Sequence, residues 1–110
     1  IVLKQEERRT IAFENGKTRI QMLVRDFNNK LMQPFINIIE PGGGSDGSYS
    51  HAGEEFGIVL QGVLEFHVNG ERYVVRKNQS FYFLSEKSHE WFNPSKRKTV
   101  VIWVTSPSTF

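Results

Sequence analysis

The run YSHAGEEFG, Tyr49 to Gly57, sets a histidine and a glutamate four residues apart. It lies between the glycine-rich PGGGSDGS at 41–48 and the strand-like FGIVLQGVLEFHV at 56–68. On a helix His51 and Glu55 would be neighbours on one face. Glycine breakers that pass directly into β-branched and aromatic residues carry no helical period, however. In a straight strand the two Cα atoms would stand about 13 Å apart, at ~3.3 Å per residue, too far to share one ion comfortably. The chain therefore has to turn between them, and Ala52-Gly53 is small enough to allow it. Such a turn lets an imidazole and a carboxylate converge from consecutive strands.

Outward from this stretch the chain reads as short strands. Thr18–Phe27 and Leu31–Glu40 are two of them, separated by Asn28-Asn29, and Pro34 marks an edge or a bulge where the second begins. In LEFHVNGERYVV, 64–75, Asn69-Gly70 supplies the two positive-φ residues of a type I′ turn, with Leu64, Phe66 and Val68 alternating on the leading strand. Ser80–Leu84, a short His89–Asn93 and Val100–Thr105 complete the series. With no helical stretch or repeat, this spacing predicts an all-β closed barrel or sandwich.

Composition narrows the function. A chain of 110 residues is one domain with a modest core, to which nine phenylalanines supply bulk. The absence of cysteine removes disulfides, thiolate ligands and a cysteine nucleophile, and makes the cytoplasm the default location. No apolar run approaches bilayer length, so no membrane role is expected. A first residue of Ile1 suggests a segment of a longer polypeptide. Nucleic-acid binding by this part alone would need a concentrated basic face. The net charge is only +2, Glu6-Glu7 offset Arg8-Arg9, and Lys96-Arg97-Lys98 reads as a solvated loop. PGGGSDGS lacks the lysine and following helix of a phosphate loop.

The spacings resemble those of the cupins, small β-barrels with two sequence motifs. Gly43, His51, Glu55 and Gly62 fall at positions of the first motif, with Tyr49 where its first histidine is usual. His89 and Asn93 fit the second, whose remaining positions, usually glycine, proline and glycine, hold Asn78, Leu84 and Glu86. The resemblance implies a double-stranded β-helix, the cupin or jelly-roll barrel. A narrower resemblance covers nearly the whole chain: ERRTI, PFINIIEPGG, SHAGEEFGIVLQGVLEFHVNGE and VIWVTSPSTF are similar to the C-terminal cupin of bacterial helix-turn-helix (XRE-type) regulators. It implies that residues 1–110 are a single cupin domain. A DNA-binding domain would precede it in the full chain, DNA would be contacted only through that domain, and the protein would work as a homodimer.

Metal-binding cupins use three histidines and a glutamate, and the resemblance leaves His51, Glu55 and His89 as ligands. Two imidazoles and a carboxylate with open positions suit iron(II) and accept zinc, manganese or nickel. The same cluster without metal can hydrogen-bond an organic acid. Tyr49 is a poor imidazole substitute, since an unperturbed phenol has a pKa of about 10. It shares strand parity with His51 and is expected to reach the cavity and bond a ligand or metal-bound water. Trp91 and Asn93 share parity with His89, and Phe35, Asn37, Tyr82 and Trp103 are further wall candidates. His67 has no motif partner and reads as a surface or packing histidine. The functional expectation is a sensor of a small-molecule effector; the alternative is a metal-dependent enzyme, an iron oxygenase or epoxidase, or an isomerase.

Overall fold

The computed structural model describes residues 1–25 and 29–108. A single 3-10 turn, Gln5–Glu7, precedes nine strands: β1 Thr10–Phe13, β2 Thr18–Met22, β3 Gln33–Ile39, β4 Glu54–Gln61, β5 Val63–Val68, β6 Glu71–Arg76, β7 Ser80–Leu84, β8 His89–Phe92 and β9 Thr99–Ser106. They form a six-stranded sheet in the order β1-β2-β3-β9-β4-β7 and a three-stranded sheet in the order β6-β5-β8. All the strand pairs are antiparallel. Among the described residues no helix is long and apolar enough to cross a membrane.

Alternation decides which face of each strand turns inward. Along β3, Gln33, Phe35, Asn37 and Ile39 are buried, and along β9 Thr99, Val101, Trp103 and Thr105 are. From the small sheet Leu64, Phe66 and Val75 meet Ile20, Phe35, Val59, Phe83 and Trp103 of the large one in a single core. Phe66 touches Phe81, Phe83 and Trp103, with ring centroids 4.6, 5.5 and 5.7 Å away. Burying side chains of this size contributes about 1.5–3 kcal/mol each.

Two turns direct the chain between sheets. Gly62, at φ +84°, carries β4 over into β5; a Cβ there would press on Thr99 Oγ1 at 2.5 Å and the Lys98 carbonyl at 2.7 Å. The expected Asn69-Gly70 turn is present, with φ of 52° and 85° between paired Val68 and Glu71. Asn78, at a motif position where glycine is usual, adopts φ 67°, a left-handed geometry that asparagine tolerates better than most side chains.

Two expectations need correcting, and one strand was not expected. The strand expected over Thr18–Phe27 ends at Met22, because the next residue on β3 is Pro34, which has no N–H with which to extend the ladder. The Pro34 carbonyl still accepts the Leu23 N–H at 3.2 Å. Phe27 and Asn28, part of that expected strand and turn, lie outside the described residues. Pro34 is in an interior strand, between β2 and β9, and marks the point where β2 leaves it. Finally, β1 was absent from the sequence reading, its four residues being mostly exposed.

Candidate metal and ligand site

The turn expected at Ala52-Gly53 is made. Gly53 adopts φ +114°, and an added Cβ would run into the Ser106 carbonyl oxygen. That bend ends the loop carrying His51 and starts β4, whose second residue is Glu55. His89 opens β8, and its backbone exchanges two hydrogen bonds with Tyr49, at 2.8 and 2.9 Å. The pairing anchors the 49–51 segment beside the small sheet.

Nε2 of His51 and Nε2 of His89 each stand 3.2 Å from Oε2 of Glu55. The three candidate ligand atoms lie within 4.8 Å of one another. Glu55 and His89 are buried, while the His51 side chain is 38% exposed and forms the accessible edge. Behind the cluster, the Ser85 hydroxyl donates to Glu55 Oε2 at 2.8 Å and the Trp103 indole N–H donates to Oε1 at 2.9 Å.

Burial opposes ionisation of Glu55, yet the hydrogen bonds from His89, Ser85 and Trp103, with the charge of His89, hold its pKa below the usual carboxylate value. Burial likewise opposes protonation of His89, and the Glu55 hydrogen bond, the Lys87 carbonyl and the Glu55 charge raise it above the ordinary imidazole value.

The donor set fits a divalent metal. Nδ1 of His51 lies 3.1 Å from the Ala52 carbonyl and Nδ1 of His89 lies 2.8 Å from that of Lys87. Each Nδ1 therefore carries the proton, and a neutral ring turns its Nε2 lone pair toward a carboxylate oxygen. Either extra protons or a cation shared by the three atoms relieves that opposition. Backbone carbonyls that fix the tautomer in this way are the usual outer partners of metal-bound histidine. A bound metal would be held by His51, Glu55 and His89 and would supply Lewis acidity and open coordination positions to the cavity.

The cluster is part of the wall of a cavity of about 610 Å³. Tyr49, Phe35, Asn37, Trp91 and Trp103 line the same cavity, so the structure brings together eight of the ten residues singled out. Tyr49 keeps half its surface exposed. Tyr82 and Asn93 are the exceptions. Phe81 and Phe83 take the inward positions of β7, so Tyr82 points out, 58% exposed, with its hydroxyl donating to Glu54 at 3.2 Å. It lines a separate outer depression with Leu31, Met32 and Phe56. Asn93, despite its parity with His89, is buried outside the cavity lining, where its amide donates to the Ile39 and Arg97 carbonyls at 3.0 and 2.6 Å. His67 packs on the outer face of the small sheet against Glu65 and Phe92.

Sequence reasoning missed Ser85, Thr105 and the rim formed by Glu14-Asn15-Gly16 and Asp46. Parity with Trp103 could have found Thr105. The rim depends on a long-range contact, in which the Gly44 N–H donates to the Gly16 carbonyl at 2.8 Å, and left no sequence signal. Asn37 Oδ1 and Thr105 Oγ1 are buried and have no hydrogen-bond partner among the described residues, so two polar atoms in residues lining the cavity are free to meet a ligand.

Comparison with known proteins agrees with this architecture. Residues 35–105 match the family model described as Cupin_2, cupin domain. The whole chain is 28% identical over 112 residues to the HTH-type transcriptional regulator PuuR of Escherichia coli, and spans 58% of that protein's length. The Cupin_2 domain of an XRE family transcriptional regulator from Enterobacter cloacae superposes with a TM-score of 0.72 at 22% identity, over 82% of this chain and 96% of that one. An RmlC-like cupin from Shewanella frigidimarina does so at 0.82 and 19%, over 98% and 91%. Sequence motifs, barrel and family model thus converge, and the chain belongs to the cupin domain family.

Proposed function

We propose that this domain is the small-molecule-sensing part of a bacterial transcriptional regulator, binding an effector in the barrel beside a divalent metal on His51, Glu55 and His89. The observation that carries the reading is that this three-donor cluster forms part of the wall of the 610 Å³ cavity. Metal and effector would then share one chamber. Similarity of the whole of this chain to part of a helix-turn-helix regulator supports the regulatory context. In this reading the domain is the C-terminal part of a cytoplasmic, homodimeric protein that meets DNA only through a helix-turn-helix outside residues 1–110.

Tyr49, Phe35, Asn37, Trp91 and Trp103 would contact the effector. Aromatic walls with a few polar groups suit a small organic molecule. The effector must bind the DNA-competent and DNA-incompetent arrangements with different affinity, because equal affinity shifts nothing. Elemental analysis of the purified full chain, with native mass spectrometry for a retained small molecule, tests the proposal. Stoichiometric metal and a co-purifying ligand are expected; protein free of both, and unable to take up added Zn2+, would sink it. The open side of a two-histidine, one-carboxylate set also favours a second reading as an iron-dependent oxygenase or epoxidase, or an isomerase. Oxygen consumption by the iron-loaded protein with candidate metabolites separates the oxygen-dependent enzyme from the sensor.

A further inference from the structure

We infer that Trp103 is a positioning residue for the metal-binding carboxylate, an inference that rests on the metal reading of His51, Glu55 and His89. The two oxygens of Glu55 are in different surroundings. Oε2 faces both imidazoles at 3.2 Å and accepts from Ser85 Oγ at 2.8 Å. Oε1 accepts from the Trp103 indole N–H at 2.9 Å, its one hydrogen-bond donor among the described residues.

The indole is itself held on several sides. It is 2% exposed, with Phe81, Trp91 and Phe66 at centroid distances of 5.0, 5.1 and 5.7 Å and Phe35 stacked at 6.1 Å. Room for Phe81 against it comes from Gly57, which pairs with Trp103 across β4 and β9. A Cβ at Gly57 would run into the Phe81 ring and approach the Ile102 carbonyl oxygen to 2.8 Å. An indole fixed in this way donates in one direction and sets the plane of the carboxylate. With Oε1 tied back, Glu55 presents Oε2 alone between the two Nε2 atoms, as a one-oxygen ligand.

Trp103→Phe retains an aromatic ring of similar bulk and deletes the donor. Oε1 is left buried and unpaired, and the carboxylate is released to rotate. Loss of an outer partner of a metal ligand typically costs 10–100-fold in metal affinity.

The test titrates Zn2+ into metal-free full chain in competition with a chromophoric chelator. Trp103→Phe is compared with Val75→Ala, a core-loosening change on β6 away from the site. We expect Trp103→Phe to weaken Zn2+ binding about 10–100-fold and Val75→Ala to leave it near wild type. A second measurement needs no metal: in the 1H–15N spectrum the Trp103 indole N–H should exchange slowly and shift on Glu55→Gln, while that of Trp91 stays in place. Unchanged Zn2+ affinity in Trp103→Phe, equal losses in both variants, or an indole signal indifferent to Glu55→Gln would each overturn the inference and leave the metal reading standing. Wild-type protein that binds no Zn2+ would overturn the metal reading and the positioning role together.

Discussion

Two carboxylates in this molecule have near-twin surroundings and opposite chemical meaning. Glu55 and Glu65 are 5% and 7% exposed, and each stands beside a histidine whose side chain is 38% exposed. On the outer face of the small sheet, Glu65 takes His67 Nε2 on one oxygen at 2.8 Å and Arg72 Nη2 on the other at 3.1 Å. Arg72 brings a permanent charge, so that pair is balanced with nothing added. At Glu55 no lysine or arginine among the described residues is paired with the carboxylate. Two imidazoles, their Nδ1 atoms committed to backbone carbonyls, turn Nε2 toward one oxygen. A histidine beside a buried carboxylate is therefore not in itself a metal site. What distinguishes Glu55 is a second imidazole in place of a fixed cation, inside a cavity.

The largest expected effect breaks that pairing directly. Glu55→Gln keeps size and hydrogen bonding to Trp103 and Ser85 but removes the anionic ligand, so Zn2+ retention should be abolished by equilibrium dialysis. His89→Ala should do the same. Glu65→Gln should bind Zn2+ as wild type does, and a matching loss there would end the contrast. In thermal unfolding, Zn2+ at about 100 times its Kd should add about 2.7 kcal/mol to wild type and to Glu65→Gln, and nothing to Glu55→Gln.

A smaller effect comes from the bend that separates His51 from Glu55. Gly53 combines a φ of +114° with close approach to the Ser106 carbonyl and, for any added Cβ, 2.6 Å to Pro107 Cδ. Gly53→Ala should therefore cost more than about 1 kcal/mol of stability. It should also weaken Zn2+ binding, because the loop must shift while β4 keeps its register. Alanine at Gly70, also at positive φ but with open space around it, should cost stability without touching the metal. Weakened Zn2+ binding in both variants would mean that the Gly53 bend does not itself set the ligand geometry.

The contrast also shows what the sequence could reveal. His51, Glu55 and His89 were legible because motif spacing and a small-residue turn are local signals, as was the Asn69-Gly70 hairpin. Alternation correctly turned Phe35, Asn37 and Trp103 inward. Along β7 it was given the wrong phase: Phe81 and Phe83 hold the core and leave Tyr82 outside. Asn93 failed for another reason. Its side chain fits the strand parity but is taken up by the loop ahead of β9, where Oδ1 accepts from the Ser95 N–H at 2.9 Å. Ser85 and the rim at Gly16 and Gly44 depend on contacts between distant segments, and no spacing in the chain encodes them. The partnership of Glu65 with Arg72 was equally hidden, since it required the register of β5 against β6.

The smallest expected effect separates the two carboxylates by pH. Glu65 is held below the ordinary value of 4.5, first by the His67 hydrogen bond and then by Arg72. A depressed folded-state pKa means that the unfolded chain takes up the proton first on acidification. The contribution of Glu65 to stability is thus complete above 4.5 and fades as pH falls below it. Thermal midpoints of wild type and Glu65→Gln should differ by a constant amount from neutral pH down to about 5 and converge in stronger acid. The Zn2+-dependent increment should disappear earlier. His89 already favours its proton above the ordinary 6.5, so acidification through that region displaces the metal while Glu65 is still fully ionised. A metal increment that survives to pH 5, or a Glu65 contribution lost along with it near neutrality, would show that the two sites are not built on different chemistry.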